Sequence, residues 1–234
     1  MAGSDSGSLA DIELLSDLSA KALIDLSKQC SWRTFQANEQ VIDRQSDGSD
    51  LYFIVDGRVR VVNYSLSGRE VTFDVREGGT YFGELAALDG EPRSANIVAL
   101  DETILASLSQ KNFHELLHNH PSVSVRILKN LAKIVRISTD RIMDLSTLGA
   151  NNRVHAELLR LAKSGIKEDN TAEISPIPIH GDIASRVSTT RETVARVFSD
   201  LTREGILKRD QDTLIILDID TLTDIVETVR GESD

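Results

Sequence analysis

The segment from Ser122 to Leu145 most constrains how this chain can fold. Leu128, Leu131, Val135, Ser138, Ile142 and Leu145 fall at alternating steps of three and four residues, a heptad seam along one helix. So narrow a stripe on so long a helix implies a partner helix. The alternative is an ordinary core helix, which carries a broader apolar face. Ser138 is the one polar member of the seam, and Thr139 sits beside it. Pro121 disfavours helical geometry at His120 and suits the first position of the helix that follows.

Upstream of the seam the period is different. Two short helical stretches, around Asp11–Leu15 and Ala20–Ser27, lead into a run of short β-rich segments. These are Thr34–Phe35, Gln40–Ile42, Leu51–Val55, Arg58–Tyr64, Glu70–Val75, Asn96–Ala99 and Thr103–Ser107. Turn signals separate them at Ser46–Ser49, Asp56–Gly57, Ser67–Gly68, Gly78–Gly79 and Asp89–Gly90. Short strands at near-regular spacing predict a sandwich or jelly roll. A short helix over Asn112–His118 closes this part.

The charge balance narrows the function classes. A net charge of −11 does not advertise nucleic-acid binding, so any such activity needs a local cluster of basic side chains. The single cysteine, Cys30, excludes an internal disulfide and an iron–sulfur cluster held by several thiolates. No apolar run reaches membrane-spanning length and the N-terminus lacks a signal-peptide pattern, so a cytoplasmic protein with no membrane partner is expected.

After a break at Gly149–Asn152, Val154, Leu158, Leu159 and Leu161 predict an amphipathic helix ending at Gly165. A polar loop, Lys167–Glu173, precedes Ser175–Ile179, which Pro176 and Pro178 confine to an edge strand or connector. Then come a short helix over His180–Val187, a turn at Ser188–Thr190 and a second helix from Arg191 to about Glu204. Its apolar face is Val194, Val197, Phe198 and Leu201, leaving Arg191, Glu192, Arg196 and Ser199 opposite. Ile206–Lys208 and Thr213–Leu217 form a hairpin. Helix, turn, helix and hairpin predict a winged helix-turn-helix, whose second helix fits the major groove. Arg191 and Arg196 suit guanine O6 and N7, and Glu192 suits the cytosine amine. Arg186, Arg203, Lys208 and Arg209 are candidates for phosphates. The bland alternatives are a capping box, Thr189-x-x-Glu192, and arginines that are merely solvated.

The most specific string is Phe82-Gly83-Glu84-Leu85-Ala86-Ala87-Leu88, followed by Pro92-Arg93-Ser94-Ala95. Gly83 permits close approach of a ligand to the backbone. Glu84 accepts hydrogen bonds from sugar hydroxyls. Arg93 offers a planar, permanently charged fork to a phosphate, and Ser94 adds a hydroxyl and an N–H. Together they suit a ribose phosphate.

This string resembles the phosphate-binding cassette of cyclic-nucleotide-binding domains. With the long helix and Arg191-Glu192-Thr193-Val194-x-Arg196, the chain resembles the cAMP receptor protein/fumarate-nitrate regulator (CRP/FNR) family of bacterial transcription regulators, from roughly Ile12 to Asp218. The resemblance implies an α+β protein. Residues 1–148 would form a jelly-roll cyclic-nucleotide-binding domain with a dimerisation helix at about 122–145, and residues 149–234 a winged helix-turn-helix domain. It implies that Glu84 binds the ribose 2′-hydroxyl and that Arg93 and Ser94 bind the cyclic phosphate. Gly83 and Leu85 would shape the loop, Val61 and Phe73 wall the base, and Ser138 and Thr139 reach the purine. Arg191, Glu192 and Arg196 would read bases, with Arg203 and Lys208 on phosphates. The expected ligand is cAMP as allosteric effector, with cGMP also admitted because a hydroxyl both donates and accepts. The expected partners are a palindromic, TGTGA-like double-stranded operator, a second copy of the chain, and RNA polymerase as a candidate. No enzymatic activity and no metal are expected. The chain departs from the family at Ser188, where the turn normally has glycine. Two alternatives stand beside this: a regulator of the same fold that works without nucleotide or with another effector, and a regulatory subunit acting on a partner protein.

One motif points elsewhere. His114-Glu115-Leu116-Leu117-His118 matches H-E-x-x-H. No glycine and third histidine follow at the required spacing and Pro121 cuts the helix, which argues against a zinc site; the family resemblance implies an ordinary amphipathic turn there, packed through Phe113, Leu116 and Leu117.

Overall fold

The computed structural model describes residues 8–64 and 70–231. The turn expected at Ser67–Gly68 lies outside them. The chain divides into two compact units, Met1–Lys133 and Ile134–Asp234.

In the first unit a short 3-10 helix, Glu13–Leu15, and α1 (Ala20–Ser27) precede eight strands. These are β1 (Ser31–Phe35), β2 (Gln40–Ile42), β3 (Leu51–Asp56), β4 (Arg58–Tyr64), β5 (Glu70–Glu77), β6 (Tyr81–Phe82), β7 (Asn96–Ala99) and β8 (Thr103–Leu108). They form two antiparallel four-stranded sheets, ordered β1-β8-β3-β6 and β2-β7-β4-β5, which is the expected jelly roll. Alternation along the strands builds the core: Ile54, Val59, Phe82, Ile97 and Leu105 are buried in one apolar cluster. Leu51, Phe53, Ala106 and Leu108 join Phe113, Val123 and Ile127 in another.

Two elements here escaped the sequence reading. β6 is only two residues long, and α2 (Glu84–Asp89) is a helix of six. α2 is bounded by left-handed glycines, Gly83 at φ +83° and Gly90 at φ +75°, so backbone geometry sets its ends. α3 (Gln110–Asn119) follows, capped by the Ser109 hydroxyl, and buries Phe113 and Leu116 as expected.

α4 (Pro121–Thr147) starts at Pro121 and is one continuous helix of 27 residues, about 40 Å long at 1.5 Å per residue. Its start is anchored by buried Val123 and Ile127. Further on, Leu128, Val135 and Ile142 of the seam are each more than 60% exposed. Ser138 and Thr139 are exposed too, and the Thr139 hydroxyl donates to the Val135 carbonyl at 3.0 Å.

The second unit holds α5 (Ala150–Ala162), β9 (Ala172–Ile174), α6 (His180–Arg186), α7 (Arg191–Arg203), β10 (Leu207–Asp210), β11 (Thr213–Ile216) and α8 (Ile219–Arg230). Val154, Leu158, Ile183, Val187, Val194, Val197, Phe198 and Leu201 pack into its core. The strands form an antiparallel sheet, β10-β11-β9. β9 lies before Pro176, three residues earlier than the expected edge segment, because neither proline can donate to the ladder. The hairpin turn is two residues, with Gln211 at φ +49°, so β10 runs on through Arg209. α8 is a third unpredicted element. Its signals are an Asp218 cap on Thr221, buried Leu222 and Val226 one turn apart, and Gly231 at φ +75°.

Candidate functional site

Gly83 does more than start α2. A Cβ there would lie 2.7 Å from Arg93 Nη1 and 3.0 Å from the Asp50 carbonyl, so only glycine fits beside the arginine. Arg93 is buried, 4% exposed. Its Nη1 donates to the Gly83 carbonyl at 3.1 Å and its Nη2 to the Asp50 carbonyl at 2.8 Å. Its guanidinium lies over the Tyr52 ring, which stacks on Phe82 at 5.0 Å. Among the described residues Arg93 makes no ion pair, and its Nε has no hydrogen-bond partner. Burial pulls its pKa down, outweighing the opposing influence of Tyr52, Asp50 and Glu84.

Glu84 is the second buried charge of this loop, 5% exposed. Its Oε1 is 3.5 Å from Nη2 of Arg76 on β5, a residue the sequence reading missed. Burial first, then the Glu84 charge, push the nearby Tyr81 phenol up to about 12, so it stays protonated. Leu85 and Ser94 are exposed at the rim. The Ser94 carbonyl accepts from Asn63 Nδ2 at 3.0 Å, which ties the cassette to β4; Asn63 also escaped the sequence reading. Between Val61 and Val62 the β4–β5 register slips by one. The extra residue is Phe73, and the bulge leaves its ring 43% exposed beside half-buried Val61.

Thus Gly83, Glu84 and Arg93 converge, with Ser94 adjoining Arg93. Ser138 and Thr139 are placed on α4 in the other unit. A guanidinium held by two carbonyls beside a buried carboxylate and a glycine-opened turn has the chemistry to hold an anionic group attached to a hydroxylated sugar.

In the second unit Arg191, Glu192, Arg196 and Ser199 are exposed on α7 while its apolar face is buried, as the periodicity predicts. The helix cap differs from expectation. The N-cap is Thr190, one residue later than the capping box places it, and it accepts from the Thr193 N–H at 3.2 Å. Ser188 sits at φ +51°, so the turn keeps the left-handed geometry usually given to glycine. Gly181 leaves room for Arg191, whose Nε would be 3.5 Å from a Cβ there. Burial, then the positive charges of Arg191 and Arg209, lower the His180 pKa, which places both arginines' fields at the start of α6. Arg203 and Lys208 are exposed; Arg203 pairs with Asp200 at 2.6 Å, and Lys208 reaches Asp210 only at 4.0 Å.

Arg186 must be reassigned. It is not available to a phosphate, because it pairs at 3.3 Å with Glu157, whose side chain is 1% exposed. Glu157 also holds Arg141 at 3.1 Å and Arg160, while buried Asp144 holds Arg160 at 2.7 Å and Arg230. Two carboxylates and four arginines thus join the end of α4 to α5, α6 and α8.

The H-E-x-x-H histidines are spent on backbone. His114 Nε2 donates to the Ala87 carbonyl of α2 at 2.9 Å, and His118 Nδ1 donates to the His114 carbonyl at 2.7 Å. Among the described residues no three potential ligands cluster as a metal site would require.

Comparison with known proteins agrees with this geometry. The model of the cyclic nucleotide-binding domain matches residues 32–120, and that of the Crp-like helix-turn-helix domain matches residues 152–225. The Cyclic AMP receptor protein of Thermus thermophilus is 30% identical over 203 residues, 86% of this chain and 91% of that protein. The chain belongs to the CRP/FNR family. A CRP-like cAMP-activated global transcriptional regulator of Mycobacterium tuberculosis is 25% identical over 215 residues, 92% of this chain and 96% of that protein. A solved CooA mutant from Carboxydothermus hydrogenoformans shares the fold with a TM-score of 0.78 at 22% identity, covering 95% of this chain and 97% of that one. The chain is therefore a CRP-like transcription regulator with a cyclic-nucleotide-binding domain and a helix-turn-helix domain.

Proposed function

We propose that this regulator is a cytoplasmic homodimer whose DNA binding is controlled by cAMP, with cGMP as a weaker ligand. The observation that carries the reading is Arg93: a buried guanidinium, fixed by two carbonyls, without an ion-pair partner among the described residues. Burying a charge unpaired is expensive, and a cyclic phosphate supplies the missing anion. Ser94 adds donors to that phosphate, Glu84 accepts from the ribose 2′-hydroxyl, Leu85 closes the loop, and Val61 and Phe73 contact the base. Ser138 and Thr139 supply hydroxyls to the purine. The similarity to a cAMP-activated regulator and to a cyclic AMP receptor protein favours cAMP.

A second copy of α4 covers the exposed seam of Leu128, Val135 and Ile142. The dimer reads a palindrome of TGTGA-like half-sites about 34 Å apart, through Arg191, Glu192 and Arg196, with Arg203 and Lys208 on phosphates. The nucleotide shifts an equilibrium between dimer forms that space the two recognition helices well or badly. The domain boundary at Gly149 and a contact with RNA polymerase belong to the same reading.

The test is a titration of cAMP and cGMP against a palindromic duplex at fixed salt. Saturating cAMP should tighten binding to that duplex at least tenfold, with cGMP acting at higher concentration. Tight operator binding that neither nucleotide alters would remove nucleotide control and leave a regulator that works without it.

A further inference from the structure

The sequence pattern absorbed Glu84 into the ligand loop and left its partner on β5 unexplained. The Glu84 carboxylate is almost wholly buried, with a side chain 7% exposed. Burying such a group away from any partner is costly, so what it touches governs where it sits. Arg93 faces the other way, toward the carbonyls of Gly83 and Asp50. The guanidinium that reaches Glu84 is Arg76, 15% exposed at its side chain, with Nη2 3.5 Å from Glu84 Oε1.

Arg76 is held in place from three sides. Its Nη1 donates to the Tyr81 carbonyl, one residue from the cassette. Its Nε donates to Asp74 Oδ2 at 3.2 Å. Its guanidinium lies 5.9 Å from the Tyr81 ring centroid. With its contact to Glu84 the planar fork spans from β5 to the cassette, a spread of donors that the compact ammonium of lysine does not reproduce. It contacts Oε1, and an ionised carboxylate has about four acceptor sites, which leaves capacity for a hydroxyl.

We infer that Arg76 is a specificity-determining positioning residue: it holds Glu84 aimed so that the site demands a ribose 2′-hydroxyl. This rests on the nucleotide reading above and goes beyond it by assigning sugar selectivity to an ion pair outside the cassette. Without Arg76, Glu84 loses the contact that fixes its orientation. The acceptor is then no longer aimed at the sugar, and a ligand lacking the hydroxyl loses nothing by comparison.

The experiment measures affinity of the full-length protein for cAMP and for 2′-deoxy-cAMP by calorimetry, in wild type, Arg76→Leu, Glu84→Gln and the double variant. The wild type should prefer cAMP at least tenfold. Arg76→Leu should weaken cAMP at least fivefold, leave 2′-deoxy-cAMP within about twofold, and cut the preference to below threefold. In the Glu84→Gln background, Arg76→Leu should change the preference no further. If Arg76→Leu folds poorly, Arg76→Lys carries the test and should give an intermediate preference. Equal weakening of both nucleotides with an unchanged ratio would show that Arg76 only supports the fold and would overturn the inference. A wild type that binds both nucleotides equally would overturn the role of Glu84 and this inference together. A wild type that binds neither would overturn the nucleotide reading itself.

Discussion

The two units bury arginines in opposite ways. In the first, Arg93 is surrounded by carbonyl dipoles and an aromatic ring, and its Nε stays unpartnered. In the second, Arg160 and Arg186 are buried against Glu157 and Asp144, charge facing charge. Both are arginines at low exposure, yet their chemistry differs. A guanidinium matched by carboxylates is finished and holds helices together. A guanidinium held only by carbonyls is oriented but not neutralised, and it is suited to an arriving anion. Burial alone does not tell a structural cation from a functional one; the identity of its partners does.

Four measurements test this contrast. The largest effect belongs to the matched network. Glu157→Gln removes a buried countercharge that Arg141, Arg160 and Arg186 share, and breaking a buried pair typically costs about 3–5 kcal/mol. Urea denaturation should show that loss, while calorimetry on the folded variant should show nucleotide affinity within about twofold of wild type. A fall in affinity with stability intact would erase the distinction.

Arg93→Ala should behave in reverse. Nucleotide affinity should drop at least tenfold, which is about 1.4 kcal/mol or more, with little change in the unfolding midpoint. An unfolding transition shifted as far as that of Glu157→Gln would make Arg93 structural after all.

Exposed arginines and lysines form a third class, neither finished nor buried. Arg191→Ala should cost about 1–3 kcal/mol at one G·C pair of the half-site and relax specificity there. Lys208→Ala should weaken all sequences alike and flatten the salt slope by about one unit. Binding of specific and random duplexes weakened equally by Arg191→Ala would move it to the phosphate class.

The smallest effect is a titration. Burial lowers the pKa of His155 below its ordinary value of 6.5, with Glu204 opposing. The unfolded chain therefore binds the proton more readily than the folded one. Stability from this group is complete above about pH 6.5 and declines as the pH falls toward the lower folded-state value. Denaturation midpoints of wild type and His155→Gln across pH 5–8 should converge on acidification. Parallel curves would remove the assignment.

How much of this was legible beforehand follows the same division. Period-two strands, the α4 seam and the buried face of α7 are readable because apolar spacing directly reports burial. The cluster of Gly83, Glu84 and Arg93 is readable because a glycine, an acid and an arginine stand within one short stretch. α2 and β6 were hidden because six and two residues are too few to show a period. The Glu157 network was hidden because a charged residue in a helix is normally solvated, and nothing local marks the exception. Arg76 was hidden because its partner is eight residues away across a turn, where strand alternation says nothing of side-chain reach.

The uncovered seam of α4 has a consequence of a different kind. If Leu128, Val135 and Ile142 are covered only when two chains meet, the folded, DNA-competent form obeys mass action in the protein itself. Diluting the regulator then opposes its own activity, even with nucleotide in excess. The cell's stock of this protein becomes an input alongside the small molecule, and the midpoint of any nucleotide response slides with the amount of regulator present.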